Sequence, residues 1–146
     1  MTACGNNDLV DKKYGFAYDH YVTFENQPKL NDYHKEVLAT TDFPMVSTYS
    51  FDLGFTHFVC LNSNQEQMYN DYGINQTEFL LKQAYFLDRD LWKVSKRAVK
   101  PKWVIVYAHL SPFTVTRAKR LQHWIPILEK YNVDLFLCGQ VDLVVE

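Results

Sequence analysis

Residues Val133–Asp142 read V-D-L-F-L-C-G-Q-V-D. The run from Val133 to Cys138 is apolar except for Asp134, and it has the length of a strand buried in a parallel sheet. It ends in Gly139, after which Gln140 and Asp142 present polar side chains at alternate positions. In open α/β sheets, ligands and chemistry collect just past the carboxyl ends of the strands. The stretch therefore predicts a buried strand up to Cys138 and places a candidate site at Gln140 and Asp142.

Immediately upstream, Arg117 to Tyr131 carries Leu121, Trp124, Ile125, Leu128 and Tyr131 at helical spacing. Pro126 interrupts this pattern and is read as the start of its last turns. Before it, Trp103–Tyr107 (W-V-I-V-Y) reads as another buried strand, followed by a polar loop, Ala108-His109-Leu110-Ser111-Pro112. Strand, helix and strand in this order imply parallel strands joined by a right-handed crossover. Further upstream, Thr48–Leu53 and His57–Asn62 flank Gly54, which is a hairpin signal. The second of these strands is apolar on both sides and is expected to be buried on both faces. A hairpin feeding a parallel unit defines the class as α/β with a mixed sheet.

The clearest helix runs from Asn75 to about Lys96. Asn75 is a good N-cap, and Glu78 three residues later completes a capping-box pattern. Leu80, Ala84, Leu87, Leu91 and Val94 recur as one apolar stripe. Lys82, Asp88, Arg89, Lys93 and Lys96 lie opposite and read as a solvated face. Val10 to Phe43, rich in Tyr, Asn and Asp, reads as a long irregular connection with a helical turn or two near Asp32–Leu38.

Composition bounds the function. The 146 residues fit one domain, with 47% hydrophobic, 22% charged and 16% aromatic residues. Such a chain is globular, with a bulky core. A net charge of −2 makes no electrostatic case for nucleic acid or for a membrane. Cys4, Cys60 and Cys138 are too widely spaced for a disulfide framework or a zinc pattern, and read as core thiols. No basic segment followed by an apolar one opens the chain, so no signal peptide is read and the compartment stays open. Asn75-Gln76-Thr77 is a glycosylation acceptor pattern that matters only in a secreted protein. His57 reads as a hydrogen-bonded structural histidine, and His34 and His123 as surface residues.

Three polar loops follow strands: Gly5-Asn6-Asn7-Asp8, Ala108–Pro112 and Gly139–Asp142. With these, the chain resembles the calcineurin-like metallophosphoesterases, and among them most closely the purple acid phosphatases. That family has Gly-Asn-His-Glu/Asp, then a strand ending in His before a Pro, then Gly-His-x-His. The hairpin Tyr49–Val59, the helix segment Phe86–Leu91 and Tyr131–Leu135 match further family features. The resemblance covers nearly the whole chain through the order and intervals of motifs that are each weak alone.

The resemblance implies a partial metallophosphoesterase domain over residues 1–146, with mixed sheets flanked by helices forming half of the usual β-sandwich core. The family's earlier Asp-containing motifs and its later strands are absent from these residues. The implied activity is hydrolysis of a phosphomonoester by metal-activated water, with Fe, Zn, Mn or Mg as cofactor. Carried over by position, Asn6, His109, Gln140 and Asp142 stand at metal-ligand positions, and Asn7 at that of the assisting His. Asn7 has no usable acid, which in comparable roles is worth about 10²–10⁴ in rate. Gln140 is a neutral oxygen donor, and Asp142 a sound ligand for a hard ion. The expectation is a degenerate site: weak or absent hydrolysis, or no metal bound at all. The alternative is a non-catalytic interaction module that keeps the fold. A missing N-terminal segment or a protein partner would cover its exposed sheet edges. Family members are often secreted or lysosomal.

Overall fold

The computed structural model describes residues 48–73, 75–113 and 122–140. In chain order these form β1 (Tyr49–Leu53), β2 (Thr56–Cys60), α1 (Gln65–Tyr72), α2 (Gln76–Ser95), β3 (Trp103–Leu110), α3 (Ile125–Lys130) and β4 (Leu135–Gln140). The strands lie in one sheet in the order β1-β2-β3-β4. β1 and β2 are antiparallel, while β2–β3 and β3–β4 are parallel. The mixed α/β sheet and the hairpin are as the sequence predicts, and Gly54 turns the hairpin at φ +60°, where a side chain would be strained.

One sheet face carries Val59, Val106 and Phe136, which the strand register places side by side. The helices pack on this face. Leu80, Leu87, Leu91 and Val94 of α2 are buried and, with Trp124 and Leu128, close the core. The predicted stripe is thus the buried one. Gln83 and Asp90 join it as buried polar residues. Across the helix pair, the Lys130 ammonium and the Tyr131 hydroxyl both donate to Asp88 Oδ1, at 2.7 and 3.0 Å.

The other face carries Phe51, Phe58, Ile105 and Leu135 in register. Here the expectation of burial on both faces of β2, and of buried strands at β3 and β4, is corrected. Phe58 is half-buried and stacks on Phe51 at 5.0 Å, while Leu135 and Leu137 are 47% and 48% exposed. Cys60 is buried as expected, Cys138 is half-buried, and both are free thiols.

Asn75 caps α2: its Oδ1 accepts from the backbone N–H groups of Thr77 and Glu78 at 3.0 and 3.1 Å. Glu78 does not supply the second half of the box; its carboxylate pairs with Lys82 at 2.8 Å. Asn75→Ala is expected to cost about 1 kcal/mol, the usual loss for an N-cap, read as a lowered urea midpoint. α1 has no counterpart in the sequence reading, because Q-E-Q-M-Y-N-D-Y shows no apolar period. Pro126 does sit in the first turn of α3, and His123 is exposed. The expectations for Cys4, His34, Leu121 and the connection 10–43 concern residues outside the described ones.

β4 starts two residues later than predicted and continues through Gly139 and Gln140. Val133 and Asp134 are taken up in the turn from α3. The N–H of Val133 donates to Leu128 O, and that of Asp134 to Val104 O. The Asp134 carboxylate accepts the N–H of Val104 at 2.7 Å. This explains an acid inside an apolar run: it ties the start of β4 to β3.

Candidate functional site

Because β2, β3 and β4 are parallel, their carboxyl ends share one edge of the sheet. β3 continues through Ala108, His109 and Leu110, so His109 lies in a strand and not in the loop the sequence suggests. Two ties explain the longer strand. On one side Leu110 pairs with Gln140; on the other its N–H donates to the Ser63 hydroxyl at 2.9 Å.

His109 therefore stands level with Gly139. A methyl group added at Gly139 would sit 3.7 Å from His109 Nδ1, an ordinary contact. The backbone of Gln140 follows directly. The structure thus brings His109 beside the Gly139-Gln140 end of β4. Asn6, Asn7 and Asp142 lie outside the described residues.

The same edge holds a set of residues that the sequence reading did not single out. Asn62, Ser63, Asn64 and Gln65 follow β2 and are all buried, as is Ser111 after β3. Much of their polarity holds the backbone in place. Asn62 Oδ1 accepts the N–H of Asn64 at 2.9 Å, and Ser111 Oγ accepts that of Phe113 at 3.1 Å. From α2, Gln83 Oε1 accepts the N–H of Asn62 at 3.1 Å and the Thr48 hydroxyl at 2.9 Å. The available signal was four successive polar residues directly after an apolar strand. On the His109 side of the sheet, the Tyr107 hydroxyl donates to Tyr49 Oη at 2.9 Å. Burial raises the Tyr107 pKa, reinforced by Cys60 and Tyr49, so this phenol is a donor and not a base.

His57 lies toward the opposite end of β2 and is a structural residue, as read. It is buried and bonds Asp52 through Nδ1 and Asp90 through Nε2, both at 2.7 Å. Asp90 also accepts from the Ser50 hydroxyl at 2.7 Å, and Arg97 Nη1 donates to both oxygens of Asp52 at 2.9 and 3.0 Å. An imidazole facing two carboxylates donates from both nitrogens and is therefore protonated. Burial alone would lower its pKa, but the bonds and charges of Asp90 and then Asp52 outweigh that and raise it. A cavity of about 300 Å³, lined by Leu91, Val94, Lys100, Pro101, Val104 and Lys130 among others, lies at the amino-terminal end of the strands. It is remote from His109.

The chemistry of the carboxyl edge follows from its donors. His109 supplies an imidazole, and the buried residues that follow β2 and β3 supply neutral amides and hydroxyls. Among the described residues, no three His, Cys, Asp or Glu side chains come together to hold a metal ion. A dinuclear centre needs several anionic or imidazole ligands, and among the described residues at this edge His109 is the one such donor of the candidate set.

In fold and edge the described chain is thus a mixed α/β sheet with a polar rim at its parallel strand ends. Among curated proteins, it is similar to the "Probable inactive purple acid phosphatase 9" of Arabidopsis thaliana. The two are 32% identical over 103 residues, covering 64% of this chain and 14% of that protein. The chain therefore spans about one seventh of the length of that relative. No family model and no solved structure matches the chain.

Proposed function

We propose that the chain derives from a calcineurin-like metallophosphoesterase of the purple acid phosphatase kind, and that its phosphomonoester hydrolysis is weak or lost. The observation that carries this reading is the register of β3 and β4, which sets His109 level with Gly139 and Leu110 level with Gln140 at one sheet edge. The family resemblance expects imidazoles from both strand ends there, and β4 brings an amide at position 140. Similarity to a relative named as an inactive phosphatase supports the reading. Asn6, Gln140 and Asp142 remain the proposed companions of His109, and this donor set is too poor to hold two ions.

The test is turnover of p-nitrophenyl phosphate by the purified chain supplied with Fe, Zn, Mn or Mg salts, run beside His109→Ala. The two proteins are expected to give the same background rate. A rate that disappears with His109→Ala, with two equivalents of metal retained through dialysis, would overturn the proposal. The alternative reading is a non-catalytic pseudoenzyme or interaction module that keeps the fold.

A further inference from the structure

At the amino-terminal end of β2 and β3, the hairpin tip and the segment joining α2 to β3 lie side by side. The N–H groups of Lys102 and Trp103 both donate to Phe55 O, at 2.7 and 3.3 Å. Arg97 reaches across to Asp52, and Thr56 pairs with Trp103. Four large apolar side chains project from this edge: Leu53, Phe55, Val99 and Trp103, exposed by 64%, 79%, 86% and 47%.

The charge around them is mainly positive, with Asp52 and Asp134 as acids at the same edge. Residues 93–102 read K-V-S-K-R-A-V-K-P-K, with five cations and no carboxylate in ten positions. Lys96, Arg97, Lys100 and Lys102 are all exposed. Arg97 is engaged with Asp52, and Lys102 Nζ stands 5.4 Å from the centre of the Trp103 ring. The net charge of −2 hides this run, because the compensating acids lie elsewhere in the chain.

We propose that this edge is a docking surface for an anionic lipid bilayer. Projecting apolar tips set among lysines match the layered chemistry of a bilayer surface. Phe, Leu, Val and Trp enter the acyl boundary, while lysine stems lie along it with their ammonium groups among anionic headgroups. A protein partner would be better served by a concave apolar seat than by tips carried on two loops. No helix among the described residues is long and apolar enough to cross a membrane. The inference stands apart from the phosphoesterase reading, since it uses none of the residues at the carboxyl edge.

The experiment is co-sedimentation of the full chain with phosphatidylcholine vesicles, with and without about 30% phosphatidylserine. Binding is expected to be about tenfold or more stronger with the anionic lipid, given the attraction of each basic residue near such a surface. It should weaken as salt rises from about 0.1 M to about 1 M, where the Debye length falls from about 10 to about 3 Å. Lys100→Glu/Lys102→Glu and Phe55→Ser/Val99→Ser should each lower it about tenfold, with the melting temperature unchanged. Equal affinity for both vesicles, or binding untouched by both double variants, overturns the proposal. So does concentration-dependent self-association through this edge without vesicle binding.

Discussion

Asp90→Ala is expected to destabilise the fold by about 3–5 kcal/mol, the usual cost of removing one member of a buried ion pair. Asp90 reaches from α2 to both Ser50 on β1 and His57 on β2, so it fastens the hairpin to the helix layer. Without it, a buried imidazolium keeps Asp52 alone, and Asp52 is half-exposed. Urea unfolding measures the loss through the midpoint at constant slope. A loss below about 1 kcal/mol would show the network to be dispensable.

The same network dictates a pH dependence. The His57 pKa is raised above its ordinary 6.5. Its contribution is therefore whole below about pH 6.5 and is lost as pH rises through the elevated folded value. Asp52 behaves in the opposite sense. Burial alone would raise its pKa, but its bonds to Arg97 and His57 pull it below the ordinary 3.8. Its contribution is present above that value and is lost as pH falls through the depressed one. The two together favour the interval between these ordinary values. The wild-type chain should lose stability as pH rises from about 6.5 to about 9, more steeply than Asp90→Ala. Asp90→Asn, which keeps the shape and removes the charge, should show the shallow slope with less overall loss.

The second large effect is expected at Trp124. Among the described residues it is the largest fully buried side chain, and it sits where α3 meets the core. Trp124→Ala should cost about 3–5 kcal/mol through lost transfer energy and the cavity left behind. That is a large part of the 5–15 kcal/mol on which a typical domain rests. The indole Nε1 has no hydrogen-bond partner among the described residues. Trp124→Phe removes that group along with part of the ring, and should recover most of the loss. A Phe variant as unstable as the Ala variant would mean that the nitrogen is satisfied, or that ring shape dominates. Thermal and urea unfolding of both variants decide it.

What could be read in advance follows from how far each signal reaches along the chain. α2 was legible because its stripe and its cap are local. The hairpin was legible from Gly54 between two apolar runs. The ends of β3 and β4 were not, because they are set by partners distant in sequence. Ser63 takes the N–H of Leu110, and Asp134 takes that of Val104. As a result His109 moved from a loop into a strand, and β4 slid forward by two residues. α1 carries no period and was missed. His57 was legible as structural, but its partners Asp52 and Asp90 were not, since pairing across β1, β2 and α2 depends on the sheet register. The basic edge escaped because a sum over the chain cancels what the fold segregates. Of the candidate site, sequence order supplied the residue names, and only the parallel pairing of β3 with β4 placed His109 beside Gly139.

The Asp134 tie bears on how such a chain can change. Asp134 fixes the pairing of β3 and β4 by backbone bonds at the end of the sheet farthest from His109. A slip of one residue would turn Phe136 out of the core. The relative height of His109 and Gly139 is therefore decided at the opposite end of the strands. Substitutions at the other end can remove or restore reactive side chains without re-registering the strands. Scaffold and reactivity are thus separately heritable in this sheet, and one can persist long after the other has gone.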